Sequence, residues 1–269
     1  MPLQDYDFMT GQWRLILDGD YDGYYNMAAD EVLLEAFQRS RVPVLRVYGW
    51  DQPFLTLGYH QDASKVFLRE PGFPFTRRIT GGAVVLHHRE VTYSLVCSRE
   101  DLSLPAGVKD SYKAICRFLL DFYSRMGLKA DFAFSVMAGS TLGRYRDFCL
   151  ATAEHFDIVI DGRKIGGNAQ KRKGHTIFQQ GTIPVESTQA TGLVRGAEEA
   201  KTNAADLRFF LGYAPSLGFI KNLLADSFAQ TFDLEFKEQP FDLKEMCRCS
   251  QTAQNKYKSQ AWNNKGTRT

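Results

Sequence analysis

The chain has 269 residues, 44% of them apolar and 24% charged, with a formal net charge of +2. That length can bury a sizeable core and the composition excludes disordered and fibrous classes, while the charge is too mild for a polyanion binder. No apolar run approaches the roughly 20 residues that span a bilayer, so a cytoplasmic protein with no membrane and no nucleic-acid partner is expected.

The opening residues carry acids early and lack an uninterrupted apolar core, so they read as neither signal peptide nor transit sequence. A first strand is predicted near Trp13 to Leu17. From Asn26 to Ser40, Met27, Leu33, Leu34 and Phe37 recur at helical spacing, with Asp30, Glu31, Glu35 and Gln38 assigned to the other side. Val44 to Tyr48 and Phe54 to Tyr59 then read as strands, and His60 beyond them as a surface or structural histidine.

Arg77 and Arg78 precede Gly81-Gly82, and His87 and His88 follow; paired cations before a glycine turn suit an anionic group held by backbone N–H donors. An alternating strand follows from Val91 to Val96. Val108 to Leu128 shows Tyr112, Ile115, Leu119 and Phe122 on one helical stripe, with Asp110 as N-cap and Gly127 as stop. Residues 135 to 146 have no clean period and read as a mobile loop leading to Cys149.

The five cysteines, Cys97, Cys116, Cys149, Cys247 and Cys249, form an odd set without C-x-x-C spacing, read as reduced thiols and not as a zinc site. Cys97 and Cys116 look like small buried hydrophobes. Cys149, in a loop without apolar periodicity, is the thiol available for chemistry.

Phe156, Ile158 and Ile160 alternate with Asp157 and Val159, and Asp161-Gly162 is a two-residue hairpin signal. The hairpin predicts Ile160 opposite Arg163 and Val159 opposite Lys164. Gly166 and Gly167 then allow close approach of the backbone to a ligand. Arg163, Lys164, Lys171, Arg172 and Lys173 cluster here, as a solvated hairpin edge or as a docking patch for an acidic partner. Later, Ile220, Leu223, Leu224 and Phe228 mark a helix from about Ser216 to Phe232, and the tail from Asn264 is expected to fray. The interleaved elements indicate an α/β (α+β) fold, with residues 1–269 as one domain and a helical C-terminal segment over about 205–263. The residue types alone suggest binding of an anionic small molecule.

The sequence Arg77-Arg78-Ile79-Thr80-Gly81-Gly82-Ala83-Val84-Val85-Leu86-His87 resembles the glycine-rich loop of lipoate-protein ligases and the related cysteine-dependent octanoyltransferases. Gly162-Arg163-Lys164-Ile165-Gly166-Gly167-Asn168-Ala169-Gln170 is similar to their lysine signature, and Gln180-Gly181-Thr182-Ile183 to a later strand. Weaker echoes are Asn26-Met27-Ala28 with Asp30-Glu31, and Lys256-Tyr257 with Trp262-Asn263. Ala83 and Val84 depart from the loop pattern, and Gln180 stands where histidine is common; both bear on the pocket's shape or its acyl donor.

The resemblance implies the catalytic domain shared with biotin protein ligases, a large mixed sheet plus a small sheet flanked by helices, with an apolar tunnel for the acyl chain between the glycine loops. It implies Cys149 as the acyl-thioester nucleophile and Lys164 as the cation that activates it. It places Arg78, Thr80, Gly81, Gly82, His87, Gly166, Gly167, Asn168, Ala169, Gly181 and Thr182 around the substrate. The expected donor is octanoyl acyl carrier protein and the acceptor a lysine of a lipoyl domain protein, either glycine cleavage H protein or a dehydrogenase E2, with no cofactor. The alternatives are an ATP- and magnesium-dependent lipoate-protein ligase, in which Cys149 is incidental, and a non-catalytic lipoyl-binding module.

Overall fold

The computed structural model describes residues 12–136, 149, 153, 155–187, 192–195 and 197–264. Strand β1 (Trp13–Tyr21) leads into helix α1 (Gly23–Ser40), whose N-cap Asp22 accepts the backbone N–H of Tyr25. Strands β2 (Val44–Trp50) and β3 (Phe54–Leu57), helix α2 (Ala63–Val66), and strands β4 (Phe75–Arg77), β5 (Val85–His87) and β6 (Arg89–Ser98) follow. Next come α3 (Val108–Arg125), β7 (Ala130–Phe132), α4 (Ala133–Val136), β8 (Ile158–Ile160), β9 (Arg163–Lys164), β10 (Asn168–Lys173) and β11 (Thr176–Glu186). The remainder holds α5 (Ala197–Asn203), α6 (Leu207–Leu211), α7 (Leu217–Phe232), β12 (Phe236–Glu238), α8 (Leu243–Thr252), a π-helical turn (Ala253–Tyr257) and α9 (Gln260–Asn263).

The large sheet is mixed, in the order β10-β11-β6-β2-β1-β12, with β1 parallel to β2 and β12 and the other pairings antiparallel. One face carries Leu45, Val47, Tyr93 and Leu95 against Phe118 and Phe122 of α3 and Phe228 of α7. The opposite face packs Val44, Tyr48 and Val96 against Met27, Leu33 and Phe37 of α1 and Tyr257. With both faces covered, β2 is buried at every position. A small sheet, β4-β3-β5, has its own core of Leu55, Leu57, Val84, Leu86 and Val194, and a third, β7-β8-β9, carries the predicted hairpin. No helix among the described residues is long and apolar enough to cross a membrane.

Three expectations are corrected. Asp30 is not solvent-facing: it is 1% exposed and holds Arg46, Tyr48 and Ser94, because α1 is covered on both flanks and the buried Arg46 guanidinium needs an anion. The N-cap of α3 is Gly107, which places Asp110 within the first turn, where the helix dipole favours an acid. The C-terminal segment is not wholly helical, since β12 pairs with Trp13 to Leu15; three residues are too few to show a period. The loop at 137–148 and the tail at 265–269 lie outside the described residues.

Candidate active site

The β8–β9 hairpin has the expected register, Val159 opposite Lys164 and Ile160 opposite Arg163, around Asp161 (φ 48°) and Gly162 (φ 74°). Two successive left-handed residues make the turn that matches strand twist. It aims Lys164 inward, where the side chain is 3% exposed. Nζ donates to Asp157 Oδ2 at 2.6 Å and to the Cys149 carbonyl at 2.8 Å, and lies 3.7 Å from Cys149 Sγ.

Past β9, Gly166 (φ 82°) passes so near β11 that an added Cβ would lie 2.0 Å from the Thr182 carbonyl oxygen. The Thr182 N–H bonds the Gly167 carbonyl at 3.0 Å and seats this loop. At Gly167 an added Cβ would stand 2.6 Å from Cys149 Sγ, so the half-buried sulfur rests on bare backbone. Across the site, the Cys149 N–H donates to the Val84 carbonyl at 3.0 Å, which ties the cysteine to the first glycine loop.

That loop is folded around Arg78, which is 3% exposed. Nε donates to the Thr80 hydroxyl, Nη1 to the Thr56 carbonyl (3.0 Å) and hydroxyl (3.3 Å), and Nη2 to the carbonyls of Gly81 (2.7 Å) and Ala83 (2.8 Å). Burial pushes the guanidinium down to about 10 and the Cys149 sulfur acts in the other direction; it stays charged at neutral pH. Arg77 points elsewhere, donating to the carbonyls of Gly58, Tyr59, Gln61, Trp262 and Asn263.

Of the residues expected around the substrate, Arg78, Gly166, Gly167 and Thr182 are joined to the Cys149–Lys164 pair by these links, and Thr80 and Gly81 by way of Arg78, whose Nη2 would lie 2.9 Å from a Cβ added at Gly82. His87 commits both ring nitrogens inside the fold, to Thr56 Oγ1 (2.7 Å) and Glu90 Oε1 (2.6 Å), and stacks on Trp50. Asn168 pairs with Gly181 across β10–β11 and its Oδ1 accepts the Tyr93 hydroxyl at 2.7 Å. Ala169 stands opposite Gln180, whose buried Oε1 has no hydrogen-bond partner among the described residues.

Asp157 was not foreseen as a site residue, yet its signal was present. Alternation puts Asp157 and Val159 on one face of β8, and Val159 opposes Lys164, so acid and lysine share that face. Thr56 and Glu90, behind Arg78, gave no motif. Burial drives the Cys116 and Cys249 thiols up to about 12 and that of Cys97 well above its ordinary value, which keeps them protonated and inert. Cys247 is exposed on α8. No group of three or more His, Cys, Asp or Glu among the described residues is placed to hold a metal ion.

The lipoyl protein ligase A/B catalytic domain pattern matches residues 22–209. The chain belongs to that family. It is 32% identical to the octanoyltransferase LipM of Kyrpidia tusciae, over 93% of this chain and 98% of that one. Against the octanoyltransferase LipM of Staphylococcus epidermidis the identity is 31%, over 94% and 99%. Solved relatives share the fold at lower identity: a lipoate-protein ligase A bound with ATP superposes with a TM-score of 0.78 at 21% identity, covering 95% of this chain and all of the other. A bi-partite lipoate protein ligase from Thermoplasma acidophilum, described with its E2 lipoyl domain, gives 0.76 at 20% identity, covering 96% and 98%. In this family setting, the large mixed sheet, small sheet and flanking helices are the expected architecture.

Proposed function

We propose that the protein is an octanoyltransferase that takes the acyl group from octanoyl acyl carrier protein onto Cys149 and passes it to a lysine of a lipoyl domain protein. The observation that carries this reading is the placement of the Lys164 ammonium 3.7 Å from the Cys149 sulfur. In the first half-reaction the thiolate attacks the donor thioester carbonyl; the new S–C bond forms, the donor S–C bond breaks, and Lys164 protonates the departing thiolate. In the second, the neutral acceptor amine attacks the Cys149 thioester, the amide forms, Cys149 leaves as thiolate, and the amine's proton returns to Lys164. In this reading the Gly167 backbone, which packs against the sulfur, supports the tetrahedral oxyanion.

The acyl group arrives already activated as a thioester, so this cycle needs neither nucleotide nor metal. The ligase alternative requires Arg78 to hold a nucleotide phosphate, but its five N–H donors are committed to protein oxygens, which favours the transferase. The relatives named octanoyltransferase favour it independently.

Intact-mass measurement after exposure to octanoyl acyl carrier protein tests the proposal. An octanoyl adduct is expected on the wild-type chain and none on Cys149→Ala, with transfer to a lipoyl domain following adduct formation. Carrier modification that needs lipoate and ATP and is indifferent to Cys149→Ala would instead establish the ligase. Ligand binding without either modification would establish the binding module.

A further inference from the structure

Thr56, His87 and Glu90 come from three strands, β3, β5 and β6, and meet in one buried row. Glu90 Oε1 stands 2.6 Å from His87 Nδ1, and His87 Nε2 stands 2.7 Å from the Thr56 hydroxyl. Acid, imidazole and hydroxyl in that order is the arrangement that activates a nucleophile in hydrolytic enzymes. Here Thr56 is 0% exposed and its hydroxyl already accepts from Arg78 Nη1 at 3.3 Å, which closes it to substrate. The row acts through what it holds.

Each hydrogen bond in the row has one direction. Glu90 Oε1 accepts the Thr92 hydroxyl at 2.8 Å and accepts from His87 beside it, so Nδ1 carries the ring proton. The neutral ring then presents Nε2 as an acceptor, which takes the Thr56 proton and leaves the Thr56 oxygen lone pairs for Arg78. Trp50 stacks on the ring at 3.8 Å and donates Nε1–H to Thr92 at 2.8 Å, which holds the ring plane.

The row leads to both halves of the site. Arg78 grips the Ala83 carbonyl at 2.8 Å, and the next carbonyl, that of Val84, takes the Cys149 N–H at 3.0 Å. On the other side, the Thr182 N–H seats the Gly167 carbonyl beside Lys164 at 3.0 Å, and Thr182 pairs with Thr92 across β11 and β6. Cys149 and the Lys164 loop are therefore both referred to one short stretch of β6, Glu90 to Thr92.

We propose that Glu90, His87 and Thr56 are positioning residues, a hydrogen-bonded row of fixed direction that sets the first glycine loop and with it the place of Cys149 opposite Lys164. This deepens the transferase reading and rests on Cys149 being its nucleophile. The three side chains act through Arg78 and do not touch the acyl group. Because a buried polar network works as a unit, breaking one link should slow the reaction as much as breaking two.

The test follows octanoyl uptake from octanoyl acyl carrier protein by intact mass over time, which separates the rate constant per active molecule from the final amplitude. Thr56→Val keeps the side chain's shape and leaves the Thr56 carbonyl to Arg78 Nη1, so the loop stays folded while its set is lost. It is expected to slow uptake at least about tenfold at unchanged amplitude, with half-saturation by the donor shifted less than about twofold. Thr56→Ser should recover most of the rate. Adding His87→Phe to Thr56→Val should slow uptake no further. Glu90→Gln keeps an acceptor for Nδ1–H and should be slowed less than Glu90→Met. A purely structural role lowers amplitude and Tm and leaves the rate constant alone. That result, multiplying losses at Thr56 and His87, or equal rates in the two Glu90 variants, overturns the proposal. If Thr56→Val does not fold, the Glu90 pair decides. A wild-type chain that takes up no octanoyl group refutes the transferase reading, whereas wild-type uptake matched by Thr56→Val refutes the row alone.

Discussion

Lys164 and Asp157 meet at 2.6 Å with both side chains almost wholly buried. Removing one partner of such a pair strands the other charge, which costs roughly 3–5 kcal/mol. Asp157→Ala should therefore lower Tm markedly, while adding Lys164→Met to it should recover much of the loss. A thermal-unfolding double-mutant cycle measures the coupling, and additive losses would contradict the pairing.

Gly167→Ala places a methyl 2.6 Å from the Cys149 sulfur. The sulfur must shift, and a displacement near 1 Å in a reacting group costs on the order of 100-fold in rate. Octanoyl transfer should fall by about that factor with Tm little changed, as measured by steady-state kinetics beside calorimetry.

Arg77 binds five carbonyl oxygens, two of them from Trp262 and Asn263. Arg77→Met leaves these acceptors without their donor, at about 1–3 kcal/mol for each one that stays buried and unsatisfied. The variant should unfold at lower temperature and be cut faster by trypsin at Lys256 and Lys258, seen by mass mapping of limited digests.

Burial raises the Cys116 thiol from 9.0 to about 12. A group whose folded-state value is raised contributes stability that is fully present below its unfolded value and is lost as pH rises through the folded one. Stability should thus decline from near pH 9 toward pH 12, and Cys116→Ala should flatten that decline. Urea midpoints across this range measure it; an unchanged slope would place the cause elsewhere, such as Tyr93 and Tyr123, which burial also raises.

The legible parts of the sequence were those with a short repeat or a turn signal. Asp161-Gly162 fixed a hairpin whose pairing followed from a period of two, and the stripes of α1, α3 and α7 appeared near their observed positions. Buried charge was harder to see, because Asp30 and Arg78 look like surface residues until hydrogen-bond partners from distant strands are brought alongside. Arg77 and Arg78 are neighbours in sequence but point into different parts of the molecule, which composition does not distinguish. The role of Asp157 was within reach of strand alternation, whereas Thr56 and Glu90 act through contacts that no local pattern announces.

The weak echoes at the two ends of the chain are in contact: Glu31 holds Lys256 and Tyr257, and Asn263 bonds Thr76 and Arg77 beside the first glycine loop. Arg77 in turn takes two of its acceptors from that end, the carbonyls of Trp262 and Asn263. The first glycine loop is therefore seated by a residue 186 positions further along the chain, and loosening the turn that carries Asn263 should loosen the acyl-handling loop with it.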